Sequence, residues 1–297
     1  MDPRIPTLMP PPPPTYQGRP LARPEDEVVD QGLGFDLGTL IDRRRALQLF
    51  GYAGLSASVV ALTACTPSAI GSPSVSPSTA APTSTDSACA APIPEETAGP
   101  FPGDGSNGPD VLTESGVVRQ DIRSSVGEFS GTAEGIPLTI KLAIQDAAKG
   151  CAPYAGAAVY VWHCDREGRY SMYSEGVTEE NYLRGGQEAD ADGRLEFTTI
   201  FPATYAGRWP HLHFEVYESL DAATAASDKL RTSQLAIPEE VASEVYETAE
   251  GYEGSVETLS QVSLDNDMVF SDGYSLQMAK VTGSVEDGYT IALTVPV

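Results

Sequence analysis

The chain has 297 residues, 42 of them acidic and 18 basic, for a formal net charge of -24. That length accommodates one or two domains with a full hydrophobic core, and a composition 41% apolar and 20% charged marks a chain most of which folds. The acidity argues against a nucleic-acid partner, which needs clustered Lys and Arg, and against adhesion to anionic lipid by surface charge.

The histidine count narrows the chemistry further. There are 13 Tyr but only three His, at 163, 211 and 213, so a three-His metal site would have to use every one of them.

In chain order, residues 1–42 form a Pro-rich, acidic extension (Pro10 to Pro14) that reads as disordered. Residues 43–65 read as an export signal. Arg43, Arg44 and Arg45 precede an apolar run from Leu49 to Ala64. That run is too short and too rich in Gly, Ala and Ser to span a bilayer comfortably. Arginines before such a run resemble a twin-arginine signal. The run ends Leu62-Thr63-Ala64-Cys65, like the lipobox of bacterial lipoproteins, which makes Cys65 the expected lipid anchor and the only expected contact with a membrane. The location implied is outside a bacterial cell or on its surface. Residues 66–88 are Pro, Ser, Thr and Ala with a single charge, Asp86, and read as a flexible tether. Residues 1–64 hold six basic and seven acidic groups, so -23 of the charge falls on 65–297.

Residues 89–297 are expected to fold as one all-β domain. Pro137 to Ile144 alternates with Leu138, Ile140, Leu142 and Ile144 on one face. Ala157 to Trp162 is a β-rich run. The turn Asp190-Ala191-Asp192-Gly193 precedes a strand over Arg194 to Ile200, and another strand spans His211 to Tyr217. A short helix is expected over Pro238 to Thr248. Two closing strands, Ser275 to Val285 and Tyr289 to Val295, flank the turn Glu286-Asp287-Gly288. Many short strands with few helices indicate a β-sandwich.

The local signal richest in chemistry is Trp209-Pro210-His211-Leu212-His213-Phe214-Glu215. In a strand, residues i and i+2 face the same way, so His211 and His213 project side by side and can share a metal ion. Two histidines leave such a site incomplete. Tyrosines stand nearby: Tyr205 is six residues before His211, and Tyr170 closes the block that begins at Gly156.

These blocks resemble the intradiol ring-cleavage dioxygenases, the family of protocatechuate 3,4-dioxygenase and the catechol 1,2-dioxygenases. The resemblance runs from about Pro94 to Gln234. It includes Glu95-Glu96-Thr97-Ala98-Gly99-Pro100-Phe101, similar to the motif that borders the family's active site, and the turn and strand over Asp190 to Ile200. The resemblance implies a prealbumin-like sandwich holding a mononuclear, non-haem Fe(III) through Tyr170, Tyr205, His211 and His213. It implies that Arg208 stabilises negative charge on the ring under attack, that Tyr205 also serves as a base, and that Gln234 lies beside the metal. Tyr173 and Tyr182 are the alternatives for the first tyrosine, and His163 is expected to be structural or pocket-lining. The reaction implied takes a small aromatic diol and O2 to a cis,cis-muconate-type diacid.

The catechol 1,2-dioxygenase branch has a helical dimerisation region, and nothing between Cys89 and Gly135 looks long or amphipathic enough for one. A homodimer stays open. Apart from Cys65, the cysteines are Cys89, Cys151 and Cys164. Cys151 and Cys164 bracket an expected strand, which holds them beyond the roughly 7 Å Cα separation a disulfide tolerates. A bridge from Cys89 to one of them is expected, with Cys164 preferred. Two rival readings are a non-enzymatic β-sandwich that binds small aromatic ligands, and a zinc hydrolase using His211, His213 and a carboxylate. The second leaves the tyrosines unexplained.

Overall fold

A computed structural model describes residues 15–16, 19–20, 91–225 and 229–297. The chain divides into two compact units, Met1–Thr85 and Asp86–Val297. In the first, two short strands, β1 (Thr15–Tyr16) and β2 (Arg19–Pro20), pair antiparallel. The expected signal, Cys65, the tether and Cys89 lie outside the described residues.

The second unit is an all-β sandwich with a few short helices. In chain order its strands are β3 (Pro137–Asp146), β4 (Ala152–Pro153), β5 (Ala158–Trp162), β6 (Arg184–Glu188), β7 (Arg194–Ile200), β8 (His211–Tyr217), β9 (Arg231–Ala236), β10 (Lys280–Ser284) and β11 (Gly288–Pro296). The helices are α1 (Leu220–Thr224), α2 (Glu239–Thr248) and α3 (Glu253–Ser260). None of the described helices is long and apolar enough to cross a membrane. One sheet runs β10-β11-β3, with β4 and β7 both pairing along the far edge of β3. The other runs β6-β5-β8-β9, antiparallel throughout.

The alternation expected over Pro137 to Ile144 is what builds the core. Leu138, Ile140, Leu142 and Ile144 are buried and meet Val159, Val161, Leu212, Phe214 and Val216 of the facing sheet. Each such side chain contributes about 1.5–3 kcal/mol relative to exposure. The strands over Arg194–Ile200 and His211–Tyr217 fall where the sequence places them, and α2 begins one residue later than expected, after Pro238. The expected strand from Ser275 shortens to Lys280–Ser284, because the backbone turns at Tyr274, whose carbonyl accepts from the N–H groups of Gln277 and Met278.

The expected bridge at Cys164 is corrected. Cys164 is a free thiol, buried just past β5, whereas Cys151 is disulfide-bonded. Cys151 sits in the turn after β3 with φ of 59°, a left-handed position, while Cys164 packs with Tyr170 and Ala203 beneath the second sheet.

That second sheet is buried on both sides. Every residue of β5 and β8 is buried, so the face turned away from the core is covered by loops. Arg184, at the start of β6, holds this cover in place. It is wholly buried and donates from Nε to Ser171 Oγ at 3.0 Å, from one terminal nitrogen to the carbonyls of Phe101 and Pro102, both at 2.9 Å, and from the other to the Ser171 carbonyl at 2.9 Å. The Tyr173 ring lies 5.4 Å from its guanidinium. Its hydrogen-bond partners are neutral, so several carbonyl dipoles stand in for a counter-ion. Arg184→Leu leaves those three carbonyls without donors, at about 1–3 kcal/mol each when buried. The expected loss is about 3–5 kcal/mol in urea denaturation; a loss under about 1 kcal/mol would show that the loops hold their place without it.

Candidate metal centre

The register of β8 sets the site. Leu212, Phe214 and Val216 point into the core, so His211, His213, Glu215 and Tyr217 line the opposite face. His213 pairs across the sheet with Trp162 of β5 and with Gln234 of β9. The Trp162 ring stacks on the His213 imidazole at 4.8 Å and 10°, which fixes the plane of the ring. Gly99 of the 95–101 segment approaches its edge: a Cβ there would meet His213 Cε1 at 3.3 Å, and φ is 72°. Glycine is the residue that fits both demands.

Four donor atoms converge. Tyr170 Oη lies 3.2 Å from Tyr205 Oη, Tyr205 Oη lies 3.3 Å from His211 Nε2, and His211 Nε2 lies 3.1 Å from His213 Nε2. All four residues named as ligands from the sequence are thus brought together. The alternatives are not: the Tyr173 hydroxyl donates to Asn107 Oδ1 at 2.7 Å, and the Tyr182 hydroxyl faces Asp165 Oδ2 at 3.4 Å.

The protonation pattern favours a cation at this point. His211 Nδ1 bonds to the Trp209 carbonyl, which only accepts, so Nδ1 carries the hydrogen and Nε2 presents a bare lone pair. His213 Nε2 faces that lone pair, and its Nδ1 is buried without a hydrogen-bond partner. Burial, reinforced by Arg208, holds His211 well below the usual imidazole range; burial and then His211 do the same for His213. Both rings are therefore neutral, as metal ligation requires. Burial pushes the Tyr170 phenol well up, and the Tyr205 phenol up as well, with Arg208 drawing the latter back. Two neutral imidazoles and two phenols that ionise only beside strong positive charge suit a hard, highly charged metal ion. Among the described residues no group of three His, Cys, Asp or Glu converges, so the zinc reading finds no carboxylate to join His211 and His213.

Arg208 is 9% exposed and reaches the cluster from the side, one terminal nitrogen 3.3 Å from His211 Nε2. Gln234 does not touch the four donor atoms. Its Oε1 accepts from Arg208 at 2.6 Å and its Nε2 donates to the Thr97 carbonyl at 2.9 Å, which couples the 95–101 segment to the arginine. Sequence reasoning missed Asp267, which accepts from Arg208 Nε at 3.0 Å and from the Trp209 backbone N–H at 2.6 Å. Its only sequence signal is an Asp ahead of a short helical turn, which Asp265 shares.

His163 stands apart from the cluster, as expected. Its Nδ1 donates to the Cys164 carbonyl at 2.8 Å and its Nε2 meets Thr199 Oγ1 at 2.7 Å. Burial pushes its pKa down to about 4. The unfolded chain then binds the extra proton first, so this residue's stability is complete above about pH 6.5 and is lost as the pH falls through 4. Replacing His163 with Gln is expected to flatten the stability profile between pH 7 and pH 4 by about 3 kcal/mol. Identical profiles would show that His163 does not resist protonation.

Residues 107–225 match the family model described as Dioxygenase. Among curated proteins, the chain is similar to a chlorocatechol 1,2-dioxygenase of Rhodococcus opacus, 38% identical over 53 residues, or 18% of this chain and 21% of that protein. It is also similar to catechol 1,2-dioxygenase 1 of Acinetobacter lwoffii, 41% identical over 54 residues, or 18% of this chain and 17% of that protein. These matches thus span about a fifth of the relatives' length. In fold, the chain is similar to an intradiol ring-cleavage dioxygenase from Tetranychus urticae, with a TM-score of 0.53 at 23% identity, over 70% of this chain and 94% of that one. The family model and the curated relatives support the assignment of this chain to the intradiol ring-cleavage dioxygenases.

Proposed function

We propose that this chain cleaves a catechol-type aromatic between its two hydroxyl-bearing carbons, using O2 at a mononuclear Fe(III) held by Tyr170, Tyr205, His211 and His213, and releases a cis,cis-muconate-type diacid. The observation that carries the proposal is the convergence of two phenol oxygens and two Nε2 atoms, each 3.1–3.3 Å from the next in the order Tyr170, Tyr205, His211, His213. A non-enzymatic aromatic-binding sandwich has no need for that donor set or for a buried arginine aimed at it.

Ferric iron bound there supplies the positive charge that ionises the phenols and an electron-accepting centre that renders a bound catecholate reactive toward O2. The protein's residues divide the remaining work. Tyr170, 1% exposed and packed under Phe101 at 4.9 Å, is the fixed phenolate. Tyr205 is only partly buried, and its phenolate is suited to take a proton from an incoming substrate hydroxyl. Arg208 offers an N–H donor beside the ligand atoms, where it stabilises negative charge developing on the ring. Phe101 and, beside His211, Phe270 give aromatic walls to the site.

Export belongs to the same proposal: a catalytic domain outside the cell, tethered by 66–88 to a lipid at Cys65. The arginines, apolar run and Leu62-Thr63-Ala64-Cys65, in that order, support it.

Oxygen uptake tests the activity. Iron-loaded full-length protein, offered catechol, protocatechuate, hydroxyquinol and lignin-derived catechols, is expected to consume one O2 per ring cleaved and to give a diacid carrying both oxygen atoms. No uptake with any of these substrates would sink the proposal.

A further inference from the structure

Arg208 depends on a residue far along the chain. A guanidinium has five N–H donors in a rigid plane, so holding two edges decides where the third points. Gln234 Oε1 holds one terminal nitrogen at 2.6 Å, and Asp267 Oδ2 holds Nε at 3.0 Å. The other terminal nitrogen is left facing His211 Nε2 at 3.3 Å. Asp267 is fully buried and cannot swing away. The same Oδ2 accepts from the Trp209 N–H at 2.6 Å, and Oδ1 accepts from the Val269 and Phe270 N–H groups at 2.7 and 3.1 Å. One carboxylate thus ties the turn that opens at Val269 to Arg208 and to the backbone between Arg208 and His211.

We infer that Asp267 is the positioning residue that aims Arg208 into the metal centre. Its catalytic consequence rests on the ring-cleavage reading above, whereas the clamp itself is a property of the metal-free chain. Asp267 lies 42 residues beyond the end of the family-model match at residue 225. A buried guanidinium deprived of its carboxylate has every reason to leave its place, and an Arg held only by Gln234 regains the rotamer freedom that the clamp removes.

Asp267→Asn is the informative variant. The amide keeps a single acceptor oxygen, so it serves the loop N–H groups or the Arg208 side, and on the other side sets its own N–H against N–H donors. The first readout is hydrogen exchange at arginine Nε–H, followed by NMR on the metal-free full chain, with Arg208→Lys assigning the signal. Wild type is expected to show a slowly exchanging Arg208 Nε–H, and D267N to lose that protection. Fast exchange in the wild type would overturn the clamp even if D267N failed to fold. The second readout is turnover. D267N is expected to lower kcat about 100-fold with KM nearly unchanged and full iron content, as for losing one donor to developing charge. An unchanged kcat, or loss of iron with loss of activity, would overturn the positioning role. If the wild type shows the protected Nε–H but cleaves no catechol, the function proposal fails and the clamp stands.

Discussion

The period-two alternation of β8 is the constraint on which the rest of the molecule depends. With Leu212, Phe214 and Val216 sealed into the core between the sheets, His211 and His213 have one direction left, and a slip of one residue would exchange the two sets. Stability and chemistry therefore share a register. The hydrophobic contacts that hold the sandwich together are also what aim the imidazoles, and no separate scaffold is needed for them. Trp162 and Gln234, as cross-strand partners of His213, are placed by the same pairing.

A sheet buried on both faces must satisfy polar groups on the side away from the core, and this protein does so with fixed networks. Arg184 ties the 101–102 segment to the residue after Tyr170, and Gln234 ties Thr97 to Arg208. Farther along β8, Lys229 joins buried Glu215 to Asp104, which fastens the loop that follows Phe101. Against these satisfied networks, the phenols and imidazoles of the centre are neutral groups with lone pairs turned toward one another. His213 Nδ1 is buried without a hydrogen-bond partner, as are Trp162 Nε1, Arg231 Nε and Gln277 Oε1. The convergence of these four donor atoms is what supports the proposed metal ion.

Much of this was legible in the amino-acid sequence, for reasons that can be named. The strands over Arg194–Ile200 and His211–Tyr217 carry turn residues at their edges and clear alternation, and His-x-His in a strand has one geometric meaning. The motif that places Tyr170 and Tyr205 carried the rest of the ligand set, since residues 35 apart have no periodic relation to each other. The strand β9 was not foreseen, because Arg231–Ala236 mixes polar residues for the site with apolar ones for the core and resembles a loop. Asp267 was hidden for a related reason: its partner is 59 residues away, and a single carboxylate gives no pattern. The preference for Cys164 failed because order along the chain says nothing about which thiol faces the interior. Cys164 is enclosed by Tyr170 and Ala203, while Cys151 stands in a turn.

The central claim is that two tyrosines and two histidines of this chain hold one ferric ion, and visible absorption of the iron-loaded protein tests it most directly. Phenolate bound to Fe(III) absorbs visible light, so full-length protein carrying one iron per chain is expected to be red-brown, and Tyr170→Phe to weaken and shift that absorption. Protein that binds one equivalent of iron and remains colourless across the visible range would contradict the account.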